Sequence, residues 1–477
     1  MSEFPQQNNA WFLDGQEQLS SVERERNRTG RARNIILFVG DGLDVVTVTA
    51  ARIRQGQLRG QTGEENLLSF EHFPHRALLK TYNTNQQVPD SAGAGTALIA
   101  GVKTKAGVVG LDEKAVRSDC ASAKGREVVS IAALAQRAGL ATGVVTDARL
   151  THATPAATFG HSPERNWESD ADMPLRAIRE GCIDLARQLV EGRVGASLDV
   201  AMGGGRRVFL PESFVDSQGE LGVREDERNL IDEWQAARPQ GRYVSNREEL
   251  LSLEPGEKGP VLGLFAADHM EFQAGSDPVE PSLPEMTAKA IEILSQNKKG
   301  YFLLVEAGRI DHAHHYDNAY RALAETIELA EAVDVALERT NPDDTLIIVT
   351  ADHGHTMTFS GYPTRGNPIL GVVVGNDSAG NPEEKPTLAL DGKPYTTLSY
   401  ANGMTAPRGR RIDLSADTVE AENFQQPALV PLAIETHGGA DVPSFALGPR
   451  AHLLTGTAEQ SYVFNVMLRA GDLTVPR

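Results

Sequence analysis

Cys120 and Cys182 are the only cysteines among the 477 residues, so the chain admits at most one disulfide. Their number alone leaves a bridge and two buried free thiols equally open. No apolar run approaches the roughly 18 residues of a helical membrane span, which excludes such a span within these residues. The first residues, MSEFPQQNN, lack both a basic n-region and an apolar h-region, so no signal peptide is legible. Positive charge is also scarce: 46 Lys and Arg face 65 Asp and Glu, a formal net charge of −19. That balance excludes the basic surface needed by a nucleic-acid or anionic-membrane partner, and an anionic substrate would need local positive charge.

What is present is a set of apolar runs that each stop at an acidic residue or histidine. The run at 34–40, NIILFVG, is followed by Asp41, and YFLLV at 301–305 is followed by Glu306. TLIIVT at 345–350 leads to Asp352 and His353, and ATGVVT at 141–146 leads to His152 and Thr154. Continuous Val/Ile/Leu runs of this kind read as strands buried on both faces, the habit of a parallel sheet. Ligands of open α/β sheets gather beyond the carboxyl ends of the strands. Several hard ligands at one sheet edge therefore point to a multinuclear metal site.

The length allows about three domains. The candidate ligands, however, run from Asp41 to His437 and can meet only in one large α/β unit. Residues 1–33 are polar and charged, a frayed terminus or an arm on a partner; 34–477 form the single catalytic domain. Helices are predicted at 128–138, 177–190, 283–294 and 318–338, alternating with the strands. From Gly361 to about Glu420, glycines and prolines break any long period, which reads as an insertion over the sheet edge.

Asp311 and His315 stand four apart, so one helical face presents both to a single ion. A His-rich turn is more often simply a surface, but Glu306 lies five residues earlier at the end of a buried run. A carboxylate there needs a cation or several donors. Ser91, in VPDSAGAGTAL at 88–98, opens a helix built of small residues. Its plain reading is a helix cap shared with Asp90; its functional reading is a nucleophile at the positive end of a helix dipole. A hydroxyl needs a base or a metal to attack, and no Gly-x-Ser-x-Gly elbow surrounds Ser91.

VGDG at 39–42, VPDSA at 88–92, EAGRIDHAHH at 306–315, TADH at 350–353 and ETHGGADV at 435–442 together resemble the alkaline phosphatases. The likeness is to the animal enzymes and their marine bacterial relatives, and it spans about Trp11 to Met467 in the family's order. It implies an α/β fold: a three-layer α/β/α sandwich around a large, mostly parallel sheet, with an inserted crown-like subdomain. It implies phosphate monoester hydrolysis through a phosphoserine at Ser91, over a broad substrate range and with an alkaline optimum. Carried over by residue, Asp41, Asp352 and His353 would hold a zinc beside Ser91. Asp311, His315 and His437 would hold a second zinc, and Asp41, Thr154 and Glu306 a magnesium. Arg165 matches the arginine that grips two phosphate oxygens, and His152 and His312 match histidines near magnesium and phosphate. Cys120 and Cys182 match a disulfide of the animal enzymes, implying a periplasmic or secreted protein. A homodimer is expected, with Tyr362 matching a tyrosine that meets the partner's arm.

Three positions depart from the family pattern. Asp44 replaces a loop glycine after Leu43, and Ile434 replaces an acidic residue beside Glu435-Thr436-His437. Ala266 stands where the animal enzymes carry a calcium carboxylate, which speaks against calcium although Glu280 is present. Two other readings remain on the sequence: a phosphodiesterase or sulfatase of the same superfamily, and a silent phosphate-binding homologue. His161 and His355 are expected to be structural or to support the ligands, and His72, His75 and His269 to be surface or packing residues.

Overall fold

The computed structural model describes residues 5–473, except 217, 255, 257, 258 and 408. One ten-stranded sheet organises them. In chain order its strands are β1 (Asn34–Gly40), β2 (His75–Lys80), β3 (Ala141–Arg149), β4 (Val200–Gly204) and β5 (Arg242–Val244), then β6 (Val261–Leu264), β7 (Tyr301–Ala307), β8 (Thr345–Ala351), β9 (Val442–Leu447) and β10 (Gly456–Glu459). Across the sheet they run β10-β2-β9-β8-β1-β7-β3-β4-β6-β5. Only β9 runs against its neighbours, pairing antiparallel with β2 and β8. The sheet is therefore mostly parallel, and its four central strands are the four apolar runs of the sequence.

Those runs are apolar on both faces because helices cover both. Ile35 to Val39 in β1, Phe302 to Val305 in β7 and Ile348 to Val349 in β8 are all fully buried. Burial of a single such side chain stabilises the fold by about 1.5–3 kcal/mol. On one face, the helix Ala319–Arg339 packs between Val45–Leu58 and Leu283–Leu294, and it and Leu283–Leu294 rest on β7. Helices Ser91–Ala100, Ile131–Ala138 and Tyr462–Ala470 pack together on the other. Their ends follow local chemistry. Ser282 and Glu285 form a reciprocal capping box, with Pro284 in the first turn. Ser130 caps Ile131–Ala138, which stops at left-handed Gly139.

The predicted helix at 177–190 is two helices, Leu175–Glu180 and Leu185–Glu191. Gly181 adopts φ +92° between them, and Asp184 starts the second by accepting the Arg187 N–H. Cys120 and Cys182 are bridged, their Cα atoms 5.9 Å apart. The bridge packs with Trp167, Met173 and Ala177 in a small apolar cluster.

The N-terminal segment contains the helix Ala10–Arg24, capped by Asn9, with none of its residues buried. Within 361–420 regular structure is sparse. Strand Leu398–Gly403 joins Met357–Phe359 and Ala428–Pro431 in a separate three-stranded sheet. That small sheet thus draws strands from both sides of the insertion.

Candidate active site

The register of the central strands brings their carboxyl ends to one level. Val39 pairs with Glu306, Gly40 with Ala351 and Thr146 with Glu306. Asp41 follows β1, Asp352 and His353 follow β8, and Glu306 closes β7. Beyond β7, the helix Arg309–His315 carries Asp311 and His315 on one face. His152 and Thr154 follow β3, and His437 arrives on a short strand paired with His355. Ser91 opens its helix, with Asp90 as the cap that accepts the Gly93 N–H.

Two three-residue groups form there. In the first, His353 Nε2 lies 3.3 Å from Asp41 Oδ1 and 3.2 Å from Asp352 Oδ2. Ser91 Oγ stands 3.2 Å from the same nitrogen and 3.4 Å from Asp41 Oδ2. In the second, His315 Nε2 and His437 Nε2 are each 3.4 Å from Asp311 oxygens, and 3.2 Å from each other. Tetrahedral zinc with bonds of about 2.0–2.1 Å sets its ligand atoms about 3.3 Å apart. The separations within both groups are close to that spacing, with His315 and His437 meeting different oxygens of Asp311; Asp311 also lies within 4.8 Å of His353, His355 and His437 ligand atoms. All three imidazoles direct Nδ1 at a backbone carbonyl: His315 at Glu435, His353 at Gly354 and His437 at Pro89. That leaves each Nε2 lone pair facing the group, the arrangement typical of metal-ligating histidine.

A third group adjoins the first. Ligand atoms of Asp41, His152 and Glu306 lie within 4.8 Å of one another. Thr146 Oγ1 donates to Glu306 Oε2 at 2.5 Å, but Glu306 Oε1, Thr154 Oγ1 and His152 Nδ1 are buried without a hydrogen-bond partner. Burial, together with the neighbouring carboxylates, raises the Asp41 carboxyl well above its usual range and that of Glu306 to about 8. So much uncompensated carboxylate in a dry pocket calls for cations. The residues thus fit two Asp/His metal positions and one oxygen-rich position that shares Asp41.

Arg165 borders the serine. Its Nη1 donates to Asp90 Oδ2 at 3.2 Å and its Nη2 lies 3.0 Å from His152 Nε2. Burial opposes ionisation of Asp90, but Arg165, the Gly93 and Gly107 amides and Asn83 outweigh it and hold the carboxyl below its ordinary value. His312 lies beside His152, ring centroids 5.6 Å apart, and is bonded to Arg309. His269, expected to be a surface or packing residue, packs against His312 with ring centroids 4.1 Å apart and planes tilted by 58°, and accepts the Arg149 backbone N–H.

His355 supports a candidate ligand, as expected, and Glu435, to which the sequence assigned no role, joins it. His355 is wedged between Asp311 Oδ1 at 2.8 Å and Glu435 Oε2 at 2.6 Å. Burial works against its charge, yet the two carboxylates prevail and raise it to about 10, an imidazolium that fixes Asp311 from behind. The short Gly354–His355 spacing after Asp352-His353 was the available signal. Asp44 tightens the neighbouring loop: its Oδ1 takes the Thr47 N–H and hydroxyl, and its Oδ2 takes the His355 N–H. Gly42 must be glycine, since at φ +77° a Cβ would meet His355 Cδ2 at 2.4 Å. Ile434 is half exposed beside Glu435.

Known proteins share this arrangement of sequence and fold. The family model described as alkaline phosphatase matches residues 32–473. The tissue-nonspecific alkaline phosphatase isozyme of Gallus gallus is 45% identical over 472 residues, covering 96% of this chain and 88% of that protein. The alkaline phosphatase of Gadus morhua is 44% identical over 450 residues, covering 92% of each. Among solved structures, the Thermus thermophilus alkaline phosphatase superposes with TM-score 0.64 at 24% identity, covering 95% of this chain and 94% of that one. The enzyme of an Antarctic bacterium gives TM-score 0.63 at 20% identity, over 93% and 100%; both likenesses bear on the fold. By its match over residues 32–473 and its identity to these relatives, the chain belongs to the alkaline phosphatase family.

Proposed function

We propose that this chain hydrolyses phosphate monoesters to alcohol and phosphate by double displacement at Ser91. The observation that carries the reading is the position of Ser91 Oγ at a helix N-terminus, 3.2 Å from His353 Nε2 and one residue from the Asp90–Arg165 pair.

Asp41, Asp352 and His353 would hold one zinc, Asp311, His315 and His437 a second, and Asp41, Thr154 and Glu306 a magnesium. When bound, these ions supply Lewis-acid charge to the attacking and leaving oxygens and to the phosphoryl group. The planar Arg165 guanidinium, braced by Asp90, binds two phosphate oxygens and sets phosphorus in line with Ser91. Ser91 Oγ displaces the alcohol and becomes a phosphoserine. Water then attacks that phosphorus, releasing phosphate and restoring the hydroxyl. His152 and His312 flank the phosphate through water. Nothing in this set recognises the alcohol, so a broad substrate range follows.

The partner we propose is a second copy of the chain. Trp11 is 67% exposed and Val22 67% exposed on a helix that buries no residue of its own. Tyr362 is 92% exposed on the same molecule, and Arg365 lies over the Trp11 ring. Light scattering at a monomer mass would contradict the dimer. The Cys120–Cys182 bridge implies an oxidising compartment, the periplasm or the exterior.

The test is hydrolysis of p-nitrophenyl phosphate near pH 9–10, before and after chelation and restoration with zinc and magnesium. Activity should vanish with the chelator, return with both ions, and be absent in Ser91→Ala. Full activity in Ser91→Ala overturns the reading.

A further inference from the structure

Three further buried carboxylates converge without sharing a residue with the site above. Asp147 comes from β3, and Glu325 and Glu328 from one face of the helix Ala319–Arg339. Their exposures are 4%, 1% and 7%. One oxygen from each lies within 4.8 Å of the others.

The hydrogen bonds account for only part of this charge. Asp147 Oδ1 accepts the Gly308 N–H at 2.6 Å and the Arg309 N–H at 3.2 Å. Its other oxygen, Oδ2, is buried with no partner. Glu325 Oε1 takes the Gln273 N–H at 2.7 Å, and Glu328 Oε1 the Leu283 N–H at 3.1 Å. Of the neighbouring arginines, Arg247 and Arg321 are committed elsewhere, and Arg309 is left as the one among them whose positive charge acts on Asp147 and Glu325. Arg247 pairs with Glu285 and Arg321 with Glu422. Arg309 lies over the Phe272 ring at 3.8 Å and bonds His312.

Asp147 and Glu328 also line a cavity of about 320 Å³, whose walls add Glu271, Asp277, Glu280 and Glu331. A cation thus has an acidic route inward and room for water ligands. Two calcium–oxygen bonds of about 2.4 Å span about 4.8 Å, and two magnesium–oxygen bonds about 4.2 Å. The spacing of the three carboxylates falls within that reach. With oxygen donors only, the set selects hard ions over zinc.

We propose that Asp147, Glu325 and Glu328 form a further binding site for a hard divalent cation, calcium or magnesium, completed by water from the adjoining cavity. The position has a structural logic. Asp147 holds the amides that start the helix bearing Asp311 and His315, while Glu328 holds the first residue of Leu283–Leu294. An ion here ties β3 and the helix Ala319–Arg339 to both of these helices. The Ala266 and Glu280 positions discussed above are not among its ligands, and Glu280 instead accepts the Glu271 N–H at 2.8 Å.

The test uses the metal-free full chain loaded with two equivalents of zinc and one of magnesium, then desalted after exposure to millimolar calcium or millimolar magnesium. Bound metals are then counted by plasma mass spectrometry. The wild type should hold one divalent ion per chain beyond the zinc- and magnesium-loaded complement. It should also melt at a higher temperature when that ion is present. Glu328→Gln and Glu325→Gln should each lose both effects while keeping their zinc. An extra calcium assigns the site to calcium, and a second magnesium assigns it to magnesium. No additional ion in the wild type, which needs no variant to fold, overturns the proposal. So does an additional ion retained by both variants.

Discussion

Asp90 Oδ2 and Arg165 Nη1 lie 3.2 Å apart, so the residue that caps the Ser91 helix also fixes the guanidinium next to it. The pair is mostly buried and Asp90 receives the Gly93 and Gly107 amides as well. Asp90→Asn keeps an oxygen for the cap but removes the charge that braces Arg165. A hydrogen bond to a charged group contributes about 1.5–3 kcal/mol. The expected outcome is a rise of about tenfold or more in both KM for p-nitrophenyl phosphate and the inhibition constant for phosphate. Unchanged values for both would show that Arg165 keeps its place without Asp90.

The His355 bridge makes a separate prediction about metal affinity. Glu435→Gln removes one of the two carboxylates that keep His355 charged, while leaving every proposed zinc ligand intact. Partners that orient metal ligands are commonly worth 10–100-fold in affinity. Zinc should leave the Glu435→Gln protein at correspondingly lower chelator concentrations, and activity should return when zinc is in excess. A loss of activity that excess zinc does not restore would point to a different role for Glu435.

The sheet was legible because burial on both faces demands long apolar runs; β1, β7 and β8 come close to that, while β3 carries Thr142, Thr146 and Asp147 among its apolar residues. The candidate ligands at their ends were legible for a related reason, since a carboxylate closing such a run has no apolar use. The helix at 283–294 was marked by its own capping residues. Gly181 gave less away: inside an apolar helical pattern one glycine does not announce a break, and the split follows from Asp184 starting a new helix. The His355–Glu435 contact joins residues 80 apart, and that of Asp147 with Glu325 and Glu328 depends on how a helix lies against β3. Periodicity along the chain carries neither. The exposed helix Ala10–Arg24 was hidden because it has no core-facing stripe to find.

The disulfide should matter to stability more than to chemistry. Cys120 and Cys182 are separated by 62 residues, and closing a loop of that size contributes about 4 kcal/mol in the chain-entropy model. The bridge lies with Trp167, close in sequence to Arg165. A Cys120→Ala/Cys182→Ala variant should unfold at clearly lower urea concentration and retain most of its kcat at low temperature. Equal urea midpoints for the variant and the parent would remove the bridge from the stability account.

Glu328 gives a pH signature to the carboxylate cluster when no ion is bound. Burial first, and then the charge of Asp147, raise its carboxyl from the ordinary 4.5 to about 8. Between those values the unfolded chain has released the proton and the folded chain still holds it. The folded state therefore binds more protons there, so its stability falls as pH rises through the window and levels off above about 8. Glutamine at 328 cannot titrate and escapes this fall. In metal-free protein, the unfolding free energy of the wild type minus that of Glu328→Gln should decrease steadily from pH 5 to pH 8. With the ion bound, the carboxylate is ionised in the folded state too, and the decrease should shrink or disappear. Denaturant melts at four pH values, with chelator and with calcium, measure both trends. Parallel curves for the two proteins in chelator would mean that Glu328 is already ionised in the folded chain.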